Sequence, residues 1–345
     1  MNNFIRNKNM LNEVLIVDGL PGCGKTLFTS IFSSLKRIEI QQYSTTLENL
    51  CALNYLNKIS KDGLVSMIKI ELDLLIYETM MSRNTNFRFD DLSGAWKNKL
   101  FFKYFLRLFS KGNEEMPKLI QDKKPILHLS THNLLAFSSP IFEAIGNKLI
   151  CIEIVRHPLY MIIQQSINHK KWSLEKNLER QFHLMINSQE GSQPYYFNEI
   201  KINFDKLNPT ERAIYEMHYH YEKTAKFRNK FRNKNLLTIP FELFVINPQP
   251  WLEKILEFLN TSFGKKTNKV LKNQKIPRKF FADGISLEAY KKCGWEPAHG
   301  NLSEMEELNL RKKYVIQNNV SKEALNLLEL ISAKYEKIYN IHNIN

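Results

Sequence analysis

EVLIVDGLPGCGKTLFTSIFSSL, residues 13–35, runs from an apolar segment through three glycines and a lysine into a helical pattern. Val14–Val17 reads as a buried strand ending at Asp18, and Gly19–Thr26 satisfies the pattern GxxxxGK[ST]. The chemistry needs each residue type. Glycines let the backbone curl so that successive N–H groups face an anion, and a helix starting near Gly24 adds its positive end. Lys25 supplies a mobile charge for phosphate oxygens, and Thr26 a hydroxyl for an oxygen or a metal. A glycine-rich tight turn with no ligand is the plainer alternative. The strand–loop–helix context favours an anion-binding loop made of Gly22, Cys23, Gly24, Lys25, Thr26 and Leu27.

Working outward, Ile126–Leu129, Leu149–Val155 and Leu236–Ile239 are further apolar runs that read as buried parallel strands. Helical patterns separate them: Gly24–Leu35, Leu64–Arg83, Gly94–Phe109, Pro140–Ile145, Pro158–Asn168, Glu211–Phe231 and Pro250–Leu259. From Leu302 onward the chain reads as helical, with a break at Asn318–Asn319. The expected fold is α/β: a three-layer, P-loop NTPase-like parallel sheet flanked by helices. Over a hundred residues separate the first two strands, too many for one crossover, so a helical insertion or cap after the first βα unit is expected. The whole chain, 1–345, is read as a single domain: 13–40 the phosphate-binding unit, 41–124 the insertion, 125–262 the rest of the core, and 263–345 a basic loop and carboxyl-terminal helices.

The net charge of +14, from 49 basic and 35 acidic residues, favours polyanionic partners or substrates without choosing among them. A genome rich in Lys, Asn and Ile codons would produce the same excess. Four scattered cysteines without CxxC spacing fit free thiols in a reducing compartment. The start, MNNFIRNKNMLNEV, lacks a signal-peptide core, and no apolar run approaches the roughly 20 residues that span a bilayer. A cytoplasmic location is expected.

The loop does not name its nucleotide. An ATP-dependent enzyme adds an acid at another strand end to manage Mg²⁺. The second strand instead ends His128-Leu129-Ser130-Thr131-His132, and the third Glu153-Ile154-Val155-Arg156-His157-Pro158. Two strands end in basic groups, so the site is expected to be organised around anions, with no metal centre.

Three segments, taken in order, resemble the sulfotransferases that use 3′-phosphoadenosine-5′-phosphosulfate (PAPS). The first is GLPGCGKTLF, similar to that family's 5′-phosphosulfate loop. The second is PILHLSTHNLL followed by KLICIEIVRHPLYMIIQQS, with His132 and Arg156 standing 24 residues apart. The third is NLLTIPFELFVINPQPWLEKILEFLN, similar to a strand ending Tyr-Glu-Asp-Leu followed by a helix. Together they cover about a quarter of the chain. The departures are specific: Gly22 replaces the family's basic residue, Lys25 a threonine, Ser130 a lysine and Gln164 a serine, and Glu242 alone remains of the acid pair.

The resemblance implies sulfuryl transfer from PAPS to a hydroxyl or amine of a small molecule or glycan. It assigns Lys25 and the loop to the 5′ side, and Arg156, with Gln164 or Ser166, to the 3′-phosphate. His132 becomes the general base, a task suited to imidazole, which as a residue type titrates near neutrality. Arg278 and Lys279 match a basic loop that closes over the nucleotide, with Lys291, Lys292, Gly294 and Trp295 further on. Asp90 and Asp91 read as helix caps that could also touch an acceptor held by the insertion. Tyr215, His218 and Tyr219 read as helix packing, and His128 as a core residue. An ATP/Mg-dependent kinase acting on a small molecule remains open because of the GKT. No nucleic-acid partner is expected, since no recognition motif is present.

Overall fold

The computed structural model describes residues 3–341 apart from 90, 92–93, 111, 175–181, 189–190, 201, 232–234 and 282–301. Strand β1 (Glu13–Asp18) leads through the glycine loop into α1 (Lys25–Phe32). The insertion follows as α2 (Thr45–Tyr55), α3 (Lys61–Met81), α4 (Phe101–Arg107) and α5 (Met116–Lys123). Next come β2 (Ile126–Ser130), α6 (Ser139–Ile145), β3 (Leu149–Val155) and α7 (Pro158–Leu174). A small hairpin, β4 (Met185–Ser188) and β5 (Gly191–Pro194), precedes α8 (Pro209–Lys230) and β6 (Leu236–Pro240). The chain continues as α9 (Phe241–Ile246), α10 (Pro248–Phe258), α11 (Thr267–Asn273), α12 (Glu304–Gln317) and α13 (Lys322–Tyr339).

The sheet is parallel throughout, in the order β2-β1-β3-β6, with Ile16 opposite Leu129 on one side and Cys151 on the other. Every residue of β2 and β3 is buried, as expected when helices cover both faces. Alternation divides β1 between two cores. Leu15 and Val17 pack with Phe28 and Ile31 of α1 and with α7 and α8; Val14 and Ile16 pack with Ile68 and Leu72 of α3 and with α6. This is the three-layer α/β fold, and the insertion is helical.

Local chemistry explains several boundaries. Asn208 and Ser303 begin α8 and α12 with reciprocal capping boxes to Glu211 and Glu306. The last two helices are divided at Asn318, and Asn319 takes φ 52°. The helix expected over Gly94–Phe109 is corrected. Only a 3₁₀ turn at Ala95–Lys97 and the short α4 form, because the Asn98 side chain takes the Leu100 amide at 2.7 Å in place of the helical ladder. α7 runs past the expected Asn168 to Leu174.

His128 is fully buried in β2, bonded through Nδ1 to Ser33 Oγ at 3.1 Å, with Nε2 unpartnered. Burial lowers its pKa to about 3, against about 6.5 unfolded. The folded state holds it neutral, so this contribution is complete above about pH 6.5 and lost as pH falls toward 3. Near pH 5 the loss is about 2 kcal/mol. Melting curves across this range should show His128→Phe flattening the acid limb; an unchanged limb assigns the sensitivity elsewhere.

Candidate active site

Gly19, Gly22 and Gly24 all take positive φ (149°, 89° and 99°), so the turn between β1 and α1 is open to glycine and strained for other residues. Gly24 carries a second constraint. A Cβ there would lie 2.4 Å from the Phe241 ring, which comes from the β6–α9 junction. Gly24 caps α1 without a side-chain bond, so the first helical amides gain no cap from it. Lys25 curls back, donating from Nζ to the carbonyls of Gly19 and Leu20. Thr26 is exposed at the start of α1. Cys23 and Leu27 are buried, and burial pushes the Cys23 thiol up, which makes it a packing residue in place of a nucleophile.

Arg156 follows β3 and returns to the loop: Nη1 donates to the Gly22 carbonyl at 3.1 Å. Its guanidinium lies 4.3 Å from the Phe241 ring centre and 5.1 Å from that of Tyr160. Nε is buried and unpartnered. The turn that aims Arg156 is fixed one residue on, where the His157 amide donates to Glu242 Oε1 at 3.0 Å. Arg278 reaches the same plate, its guanidinium 5.5 Å from the Phe241 ring centre. Lys279 is exposed and lies over Phe280 instead.

One face of α7 lies against the loop. Gln164 Oε1 and Met161 Cα both come within 3.3 Å of where a Gly22 Cβ would stand, and Gln165 Nε2 donates to the Pro21 carbonyl at 3.1 Å. Ser166 is placed elsewhere: its hydroxyl bonds Thr210 Oγ1 at 2.7 Å and Tyr314 OH at 3.2 Å, inside helix packing. A helix turns about 100° per residue, so Met161, Gln164 and Gln165 share one side, and Ser166, about 200° round from Gln164, is turned away from it. Asp90, Lys291, Lys292, Gly294 and Trp295 lie outside the described residues.

On the other side of β1, His132 stands just beyond β2. Asp18 builds this corner, accepting from Thr131 Oγ1 at 2.7 Å and from the amides of Leu134 and Leu135 at 3.1 and 2.8 Å. His132 is half-exposed and stacks on Tyr43 at 5.7 Å. Glu48, from α2, accepts its amide at 2.8 Å and faces Nδ1 at 3.3 Å. That carboxylate selects the tautomer with the proton on Nδ1, leaving the Nε2 lone pair as a base. His183 stands beside the pair, 4.0 Å from Glu48. Sequence reasoning missed Glu48, Tyr43, Gln165 and Phe241, none of which carries a local motif for its role.

The strand-end acids are engaged. Glu153 takes Arg228 Nη1 at 2.7 and 2.8 Å and Thr238 Oγ1 at 2.9 Å, while Asp18 holds three donors. The geometry therefore gathers a glycine loop, one arginine against it, a second arginine on a shared ring, and a carboxylate-oriented histidine across β1.

No protein-family model matches the chain, and no curated protein matches it. Among solved structures it is similar to the sulfotransferase domain from the Synechococcus PCC 7002 olefin synthase, at 11% identity and TM-score 0.42, covering 91% of this chain and 98% of that one. It is similar to the sulfotransferase domain from the curacin biosynthetic pathway, at 12% identity and TM-score 0.41, covering 89% and 98%. A sulfotransferase from Mycobacterium avium follows at 13% identity and TM-score 0.39, covering 91% and 79%.

The ring over the loop is testable. Gly24→Ala should destabilise the fold by about 1–3 kcal/mol. Denaturant unfolding of Gly24→Ala, Phe241→Ala and the double variant should show the double losing less than the sum of the singles, since the two groups meet; additive losses would mean the ring does not press on the loop.

Proposed function

We propose that the chain is a PAPS-dependent sulfotransferase acting on a hydroxyl or amine of a small molecule or glycan. The observation that carries the reading is the bracketing of the loop by basic residues from both neighbouring strands. Arg156, after β3, bonds the loop carbonyl itself, and His132, after β2, presents Nε2 on the other side. The residues fit such a donor. The unpartnered, buried Nε of Arg156 is a guanidinium donor still to be matched, as a 3′-phosphate would match it. Arg278 and Gln164 lie on the same side as further candidates, while Lys279 is exposed over Phe280.

When bound, the donor supplies a sulfuryl group on its 5′-phosphate. The loop amides, Thr26 and Lys25 hold that phosphate, Lys25 leaving the carbonyls of Gly19 and Leu20 to do so. His132 Nε2 takes the acceptor's proton as the acceptor–sulfur bond forms. Lys25 would offset the negative charge left on the phosphate oxygen, which would keep the electron pair as its bond to sulfur breaks. Glu48 keeps the imidazole oriented. On this reading the acceptor would lie against the insertion, whose α2 supplies Glu48.

A second reading, an ATP/Mg-dependent phosphotransferase, rests on Lys25 and Thr26 completing a kinase-like GKT. The engagement of Asp18 and Glu153 counts against it. A thermal-shift series separates the two. Adenosine 3′,5′-bisphosphate should raise the melting temperature without magnesium, and Arg156→Ala should remove most of that shift; stabilisation by ATP with Mg²⁺ alone would decide for the kinase. With radiolabelled donor and a screen of hydroxyl and amine acceptors, His132→Ala should lower turnover by about 10²–10⁴-fold. Its bisphosphate shift should stay unchanged; if that shift collapses as well, His132 serves binding and not proton transfer.

A further inference from the structure

AWKNKLFFKYFLRLFSK, residues 95–111, carries five basic residues and no acid. Its inner side is anchored. Tyr104 is buried with Ile40 and Ala95, and Lys103 and Arg107 reach the buried Glu39 at 3.0 and 2.9 Å. Its outer side is apolar: Phe102, Leu106 and Phe109, at i, i+4 and i+7, are 70%, 65% and 76% exposed. The rings form a ridge, with Phe105 stacked on Phe101 at 5.8 Å and edge-on to Phe109 at 5.4 Å. Phe89, 77% exposed, forms a second exposed pair with Trp96 at 5.8 Å. So dense a cluster of exposed large apolar side chains marks an interaction surface.

We propose that this face docks on an anionic lipid surface. Basic side chains rim the ridge. Lys97 is exposed beside Trp96, Lys266 donates to the Lys99 carbonyl, and Lys123 lies close enough to contribute to the lowered pKa of Lys103, which burial chiefly causes. Aromatic rings seat at headgroup depth while lysine stems carry their charge to lipid phosphates. A second copy of the chain would bring the same basic set to the contact, in a molecule of net charge +14. Among the described residues no helix is long and apolar enough to cross a membrane, so the contact is interfacial. Glu39 pairs beside Ile126, at the start of β2, whereas His132 follows its end. The face therefore leaves the loop site uncovered, and the inference rests on none of the chemistry proposed above.

Vesicle co-sedimentation tests it, with phosphatidylcholine alone and phosphatidylcholine mixed with phosphatidylglycerol. The anionic vesicles should retain about tenfold more protein. Phe102→Ser with Phe109→Ser should lower that retention about tenfold, and Lys97→Glu with Lys99→Glu should lower it too, both leaving circular dichroism and thermal unfolding unchanged. Equal retention on the two vesicle types, or retention unaffected in both variants, overturns the proposal. So does self-association in sedimentation velocity that the double serine variant abolishes, since the face would then be covered by a second copy.

Discussion

Phe241 and Glu242, two consecutive residues at the end of β6, tie the site together. The Phe241 ring presses on Gly24 and carries the guanidinium groups of Arg156 and Arg278 on the same plate. Phe28 of α1 meets it edge-on at 6.4 Å. Glu242 points the other way, wholly buried, and accepts from the His157 amide at 3.0 Å and from Tyr335 of the last long helix at 2.5 Å. A buried carboxylate is costly unless donors meet it, so this pair of bonds fixes the turn after β3 relative to α13. The glycine loop is shaped by its own backbone, but where it stands against Arg156 depends on this junction.

A parallel arrangement holds the opposite corner. Asp18 ends β1 pointing into the protein, and its three donors come from the segment just after β2. An acid at that position would ordinarily suggest a metal ligand; here it is a structural acceptor that sets the path of the chain through His132. Glu153 does similar work between β3, β6 and α8 through Thr238 and Arg228. Carboxylates thus brace the scaffold, while the groups turned toward the loop are cationic or neutral, a polarity suited to a multiply charged anion.

The insertion contributes to the site and to the surface in different ways. α2 delivers Glu48 to His132, joining the insertion to the core at the corner beyond β2. α4 lies along the sheet edge on the ion pairs of Glu39. Burial alone would raise that carboxyl, but Lys103 and Arg107 offset it and hold it below the usual carboxylate range. A carboxylate so buried needs its cationic partners, and both come from α4, so the placement of α4 is firmly specified even though its outer face is apolar.

Much of the architecture is legible in the chain because its signals are local. The strands of a buried parallel sheet are unbroken apolar runs, and Leu149–Val155 has the same limits in the sequence and in the structure. Glycines forced to positive φ announce the loop, and asparagine or serine caps announce helix starts. What escapes is contact between distant segments. Nothing around residue 48 signals that its carboxylate meets an imidazole 84 positions on, and nothing near Gly24 names Phe241. Even within α7, whether Gln164, Gln165 or Ser166 faces the loop turns on a phase that other helices set by packing. Backbone preference and hydrophobic period act over a few residues, so they fix elements; side-chain partners are chosen by the assembled core, where packing and buried charge outweigh local propensity.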